Sequence, residues 1–371
     1  MKIETLAVHA GRQVDPGSGD VAPALHLATT FQRDADGGYA RGFSYARPDN
    51  PTRQALETCL AQLEGGKHAL CFGSGSAATL SVFSTLRAGD HVVAPQECYH
   101  GTRQQLREIV SPWGVQVDFV DTTRVETIEA AMRPSTRLVW LETPSNPTLR
   151  LTDIAAVVRL AHARNAVVGC DNTFATPVLQ RPLDLGVDIV VHSSTKYFGG
   201  HSDVMGGAAI LRDDARAQQV RNFQGVGGGI PSPFDCWLIR RSLATLPYRM
   251  RAQCMNAAHV ARFLESHRKV ERVLYPGLPS HPQHALAQKQ MPGFGAIVSV
   301  CVRGGAAAAM AVAARTRLFI RATSLGGVES LIEHRASVEG PDTLTPQNLL
   351  RLSVGLEHPD DLAADLDQAL G

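Results

Sequence analysis

A chain of 371 residues with 44% hydrophobic content holds enough apolar material for more than one core, and two domains are the natural division. Its 36 basic and 35 acidic residues nearly cancel and are spread along the chain, which excludes the footprint of a nucleic-acid or anionic-membrane binder and favours a small-molecule partner. No run reaches the ~18 apolar residues of a membrane span, "MKIETLAVHAGRQ" lacks a signal peptide's apolar core, and the seven cysteines form neither a CxxC pair nor a framework, so the chain reads as cytoplasmic with reduced thiols.

Residues 1–45 are rich in Gly, Pro and Asp with little helical period, which predicts an extended arm. From "RQALETCLAQLEGG" onward, helical periodicity alternates with the apolar runs "HALCF", "HVVAP", "VQVDFVD", "RLVWLE", "AVVGCD", "DIVVH" and "GGAAIL". Strands joined by crossover helices follow, in a large α/β domain at 46–235 with a mostly parallel sheet. The stretch "QGVGGGIPSP" reads as a glycine-rich loop, and Gly227, Gly228 and Gly229 receive no role. "FDCWLIRRSLATLPYRMRAQCMNAAHVARFLES" reads as long helix, and "GAIVSVCV", "LFIRATSL" and "NLLRLSVGLE" predict the strands of a smaller α/β domain at 236–371.

In open α/β sheets ligands bind beyond the carboxyl ends of the strands, so the residues after each apolar run carry the information. After "HALCF", "GSGSAA" matches the dinucleotide fingerprint through Gly73, Gly75 and Ala78, with Glu97 near the expected acidic position. That would suit a nicotinamide-dependent oxidoreductase, although a helix amino terminus holds any anion equally well. The ends of "AVVGCD" and "DIVVHSSTK" deliver Asp171 and Lys196, a pair that hydride transfer does not need. Pyridoxal phosphate needs both: an amine to condense with its aldehyde, and a carboxylate to keep its pyridine nitrogen protonated. Its phosphate needs hydroxyl and backbone donors, which Ser193, Thr195, Gly75 and Ser76 can supply. Singly, Lys196 is explained as a solvated loop lysine, and Asp171, Ser193 and Thr195 as caps. Their joint placement at strand ends favours the cofactor.

The segments "ETLAVHAG", "YARPDNPTR", "ALCFGSGSAA", "ETPSNPTL", "DNTFATPVLQRPLDLGVDIVVHSSTKYFGGHSD", "YPGLPSHPQHALAQKQMPGFGA", "SLGGVESLIEH" and "LLRLSVGLE" span nearly the whole chain. Through them the sequence resembles the Cys/Met-metabolism enzymes dependent on pyridoxal phosphate, the trans-sulfuration enzymes. The resemblance implies the aspartate aminotransferase-like fold, fold type I, and a homotetramer of dimers that share active sites. It implies Lys196 as covalent anchor and base, Asp171 as partner of the pyridine nitrogen and Tyr99 stacked on the ring. Gly75, Ser76, Ser193 and Thr195 would hold the phosphate, joined by Tyr45 and Arg47 from the adjacent subunit. Asn146 would meet the cofactor's 3-hydroxyl with Glu142 in support, and Arg351 would grip the substrate α-carboxylate, helped by the backbone around Ser324.

The implied chemistry is elimination from a γ-substituted amino acid such as cystathionine, with γ-replacement on an O-acylated homoserine as the alternative. Two departures from the family pattern bear on the substrate. His100 follows the stacking tyrosine where a small residue is usual, and either narrows the leaving-group pocket, donates a proton to it, or turns away. "EHRASVEGP" stands where "HPA" is usual, placing Glu333 and Arg335 near the substrate channel unless they form a solvated surface pair. Cys98 precedes Tyr99, outside the usual place of the methionine γ-lyase cysteine, which lowers that specificity. Canavanine, with its guanidinooxy leaving group, stays open, and a catalytically dead binding protein is disfavoured by the presence of Lys196, Asp171, Tyr99 and Arg351.

Overall fold

The computed structural model describes residues 1–340 and 343–371. All seven apolar runs of the first half are strands: β1 (His68–Phe72), β2 (His91–Pro95), β3 (Gln116–Val120), β4 (Thr136–Glu142), β5 (Val167–Asp171), β6 (Ile189–Ser193) and β7 (Gly207–Leu211). They form one sheet in the order β1-β7-β6-β5-β4-β2-β3. Every neighbouring pair is parallel except those of β7, which runs antiparallel to β1 and β6. Successive side chains of a strand point to opposite faces, and along the inner strands both faces are buried, while the edge strand β3 is half-buried. Along β4, Leu138 and Trp140 join one hydrophobic cluster while Val139 and Leu141 join the other. This two-sided burial explains why the strands read as continuous apolar runs rather than alternating ones.

The carboxy-terminal sheet contains β8 (Val270–Leu274), β9 (Ile297–Val302), β10 (Ile320–Arg321), β11 (Leu331–His334) and β12 (Leu349–Ser353) in the order β10-β11-β12-β9-β8. The expected run "LFIRATSL" is strand only at Ile320 and Arg321. The expected single helix after the glycines is two, Pro233–Leu243 and Leu246–Ser266. Pro247 has no N–H to give to the turn before it, so it belongs to the first turn of the second helix and ends the first.

The amino-terminal arm begins with a short helix, Ile3–His9, that the composition did not suggest; Ala7 is buried there. Arg240 donates to the carbonyls of Ala7 (3.3 Å) and Val8 (3.1 Å), and Trp237 Nε1 to that of Pro23 (3.0 Å), tying the arm to the chain's own body. The glycine-rich stretch is not a free loop. Helix Asp214–Gly227 runs through its first glycines and ends at left-handed Gly228. The Gly229 carbonyl then accepts the Gly73 N–H at 2.9 Å. No helix among the described residues is long and apolar enough to cross a membrane, and the cysteines among them are all free thiols.

Candidate functional site

The carboxyl ends of β1, β4, β5 and β6 open on a cavity of about 480 Å³, whose wall is completed by the loop before β11, the segment after it, and β12. That volume suits a cofactor together with a small substrate. At the end of β1, Ser74 caps helix Gly75–Phe83 by accepting the Ala77 N–H (3.1 Å), which leaves the amides of Gly75 and Ser76, two residues of the cavity wall, without intrahelical partners. A Cβ on Gly75 would lie 2.7 Å from the Cβ of Ser193, so only glycine lets the end of β6 come this close. Thr195 Oγ1 exchanges bonds with the backbone of Gly206 at 3.1 and 3.2 Å. Ser74, Gly75, Ser76, Ser193 and Thr195 all line the cavity, forming a cradle of hydroxyls and helix amides for an anion.

Asp171 ends β5. Its Oδ1 accepts the Thr173 N–H at 2.9 Å, and enclosure by protein raises its pKa. A cationic N–H beside this carboxylate would offset that desolvation. Thr173 also accepts the Ser193 N–H through Oγ1 (2.9 Å), locking the ends of β5 and β6 together. Sequence reasoning did not select Thr173, although it stands two residues past Asp171 in "DNT". Gln105 was missed as well; it lines the cavity and bonds the Ser76 carbonyl at 2.8 Å.

Lys196 follows β6. Its Nζ donates to Ser324 Oγ at 2.8 Å, and burial, with the Arg351 charge next in weight, lowers its pKa to about 8. Ser324 has φ 85°, the left-handed region that costs a serine about 1–2 kcal/mol, and this turn points both its hydroxyl and its carbonyl at cations. The Ser324 carbonyl accepts from Arg351 Nη2 at 2.8 Å, while Arg351 Nη1 donates to Asn146 Oδ1 at 3.0 Å. Glu142, at the end of β4, gives both oxygens to backbone amides: those of Tyr99 (2.8 Å) and Asn146 (2.9 Å). It therefore fixes two cavity residues through their main chains. Burial and the nearby Asp171 charge raise its pKa.

Tyr99 remains 45% exposed and lines the cavity, and a Cβ on Gly101 would meet its ring at 2.5 Å. Glycine at 101 thus lets the ring lie against the start of helix His100–Gln104, in the cavity wall. His100 also lines the cavity and is not turned away; its Nδ1 is buried without a hydrogen-bond partner among the described residues. Glu333 and Arg335 are not a solvated surface pair. Both are buried, with Arg335 Nη1 2.9 Å from Glu333 Oε2, and Glu333 Oε2 is 2.6 Å from Arg351 Nη2. Tyr45 and Arg47 stay outside the chain's own cavity; Tyr45 is exposed and Arg47 donates to the Gly225 carbonyl.

These residues fit pyridoxal phosphate: an anion cradle, an amine with a depressed pKa, a buried carboxylate that a protonated ring nitrogen would relieve, and a half-exposed aromatic ring in the cavity wall. They do not fit a dinucleotide. Glu97, the residue that would take a ribose hydroxyl, is bonded to Arg150 (3.0 Å) and Thr148 (2.6 Å).

A model of the Cys/Met metabolism PLP-dependent enzyme family matches residues 4–371. The chain is 49% identical to cystathionine gamma-synthase of Mycobacterium tuberculosis over 99% of its own length and 96% of that protein's. It is 45% identical to mouse cystathionine gamma-lyase, over 99% and 94%. The crystal structure of metB from Corynebacterium glutamicum superposes with a TM-score of 0.98 at 44% identity, covering 100% of this chain and 98% of that one. The large, mostly parallel sheet with a smaller carboxy-terminal domain is thus the fold type I architecture expected from the sequence.

Proposed function

This chain belongs to the Cys/Met metabolism PLP-dependent enzyme family, and from that premise we propose that it catalyses γ-replacement: an O-acylated homoserine and cysteine give cystathionine and the free carboxylic acid. Pyridoxal 5'-phosphate supplies the electron sink that makes the Cα and then the Cβ protons of a bound amino acid removable. Lys196 is its covalent anchor and afterwards the base that takes the proton at Cα and shuttles one at Cβ, a task suited to an amine of lowered pKa. Asp171 would keep the proton on the ring nitrogen, Tyr99 would hold the ring and give a proton to the departing γ-group, and Asn146 would bind the 3-hydroxyl. Glu142 positions Tyr99 and Asn146 through their amides. Gly75, Ser76, Ser193 and Thr195 hold the phosphate, and Arg351 takes the substrate α-carboxylate beside Ser324.

The observation that carries this chemistry is a single cavity lined by Lys196, Asp171, Tyr99 and Arg351. Elimination and replacement use the same residues and part only when the carbon skeleton either hydrolyses to a 2-keto acid and ammonia or accepts a thiol at Cγ. The sequence alone favoured elimination; the greater identity to the relative named a synthase than to the one named a lyase supports the alternative. γ-Elimination of cystathionine is the second reading, supported by the lyase relative. We also propose the division into 1–45, 46–235 and 236–371, and a homotetramer of site-sharing dimers to which Tyr45 and Arg47 contribute across the interface.

Mass-spectrometric product analysis tests the reading. With acylated homoserine and cysteine the holoprotein should form cystathionine about tenfold or more faster than it releases 2-keto acid from cystathionine. The reverse ratio would assign elimination, and neither product would remove both readings.

A further inference from the structure

Glu333 on β11 and Arg351 on β12 are direct partners in the antiparallel register, so their side chains share the face of the sheet that meets the cavity. Both Nη2 protons of Arg351 are committed, one to the Ser324 carbonyl at 2.8 Å and one to Glu333 Oε2 at 2.6 Å. A guanidinium grips a carboxylate through Nε and Nη2 or through Nη1 and Nη2, so either fork requires an Nη2 proton. An incoming carboxylate on Arg351 therefore competes with Glu333, a carboxylate already in place.

Arg335, which lines the cavity, supplies the other half of the arrangement. Its Nη1 reaches the same Glu333 Oε2 at 2.9 Å, while Nε and Nη2 hold Glu339 Oε1 at 3.2 and 2.9 Å. Glu339 Oε2 accepts the hydroxyls of Thr343 (2.6 Å) and Thr345 (2.8 Å), so the anchor of Arg335 is itself held. Glu333 Oε1 is buried and has no partner among the described residues, leaving it free to take up a new bond. Releasing a buried carboxylate from its only cation is costly, whereas releasing it from one of two is much less so.

We infer that Glu333 occupies on Arg351 the place of the substrate carboxylate, and that Arg335 is the positioning residue that keeps Glu333 paired when the substrate displaces it. The inference rests on the assignment of Arg351 to the α-carboxylate. It gives a purpose to the arginine that replaces the usual proline in this segment: Arg335 sets how readily the amino-acid site opens.

The test titrates holoenzyme with L-2-aminobutyrate, which has no γ-leaving group, and with 1-aminopropane, the same amine without the carboxylate, following heat or cofactor absorbance. Arg335→Met should weaken aminobutyrate binding by roughly ten- to a hundredfold and leave aminopropane unchanged. Glu333→Gln should bind aminobutyrate at least as tightly as wild type, and Arg335→Met/Glu333→Gln should recover to within a few-fold, because a neutral amide competes weakly for Arg351. Arg335→Lys, which keeps the charge should the methionine variant not fold, should lie between wild type and Arg335→Met. Equal weakening of both ligands, no recovery in the double variant, or a loss in Glu333→Gln as large as in Arg335→Met would overturn the role of Arg335 alone. A wild-type protein that binds aminobutyrate no better than aminopropane would remove the Arg351 assignment and the inference with it.

Discussion

Lys196 combines the two properties its position demands: it is enclosed at a strand end and has a neutral hydroxyl, Ser324, as its hydrogen-bond partner. Burial disfavours the ammonium, the Arg351 charge adds to that, and the pKa falls to about 8. Only the neutral amine condenses with an aldehyde, and its fraction grows as pH rises through that value. Stopped-flow loading of the cofactor-free protein should therefore accelerate about tenfold per pH unit below ~8 and level off above it; a rise that continues to pH 10 would show an ordinary lysine. Lys196 and Asp171 were legible in the sequence because Asp171 ends one apolar run and Lys196 lies three residues past the strand that holds another. The pairing of Glu333 with Arg351 was not, because it depends on the register of β11, a four-residue strand with Glu and His inside it. Thr173 and Gln105 act through local bonds to backbone that no spacing pattern announces.

At the scale of elements, the inner strands of the large sheet were readable because burial on both faces favours apolar residues at nearly every position, while the half-buried edge strand β3 was found by its valines and phenylalanine. In the carboxy-terminal sheet β8, "VERVL", exposes two of its five residues and is interrupted by charges, so the same rule did not find it. The junction of β1 with helix Gly75–Phe83 carries the next prediction. Alanine suits a first helical turn, so Gly75→Ala acts only through its Cβ, which would lie 2.7 to 2.9 Å from the Cβ, Oγ and Cα of Ser193. The strand end must move, at roughly 1–3 kcal/mol of overpacking, and the anion cradle opens with it. Fluorescence titration should show cofactor affinity reduced about ten- to a hundredfold, with a smaller loss of thermal stability. Ser193→Gly in the same chain should restore only part of the stability, since the Ser193 Cα at 2.9 Å remains, while affinity stays low for want of the hydroxyl. Unchanged affinity in Gly75→Ala would remove this junction from the phosphate site.

For the whole molecule, the informative part is the arm. Its second half is not loosely hung: Thr30 bridges Tyr45, the Phe31 and Ala46 amides bond Ser44 and Thr29, and buried Arg53 donates to the carbonyls of Ala46, Arg47 and Pro48. The backbone at 45–48 is thus fixed from inside, while Tyr45 is 49% exposed and, with Leu25, Leu27 and Tyr39, faces away from the body. A rigid backbone that presents an aromatic and a cation outside its own cavity suits delivery to a two-fold-related copy, where each subunit gives the other what it receives. If Arg47 completes the neighbour's phosphate site, Arg47→Ala and Lys196→Ala subunits are each defective alone, but a hybrid dimer holds one site with both residues intact and one with neither. Random mixing makes about half the dimers hybrid, each with one working site of two, so activity should return to about a quarter of wild type. Native mass spectrometry of the mixture establishes that exchange has taken place. Once it has, activity no higher than the mean of the two parents would mean that Arg47 serves its own chain, where it already holds the Gly225 carbonyl at the end of helix Asp214–Gly227.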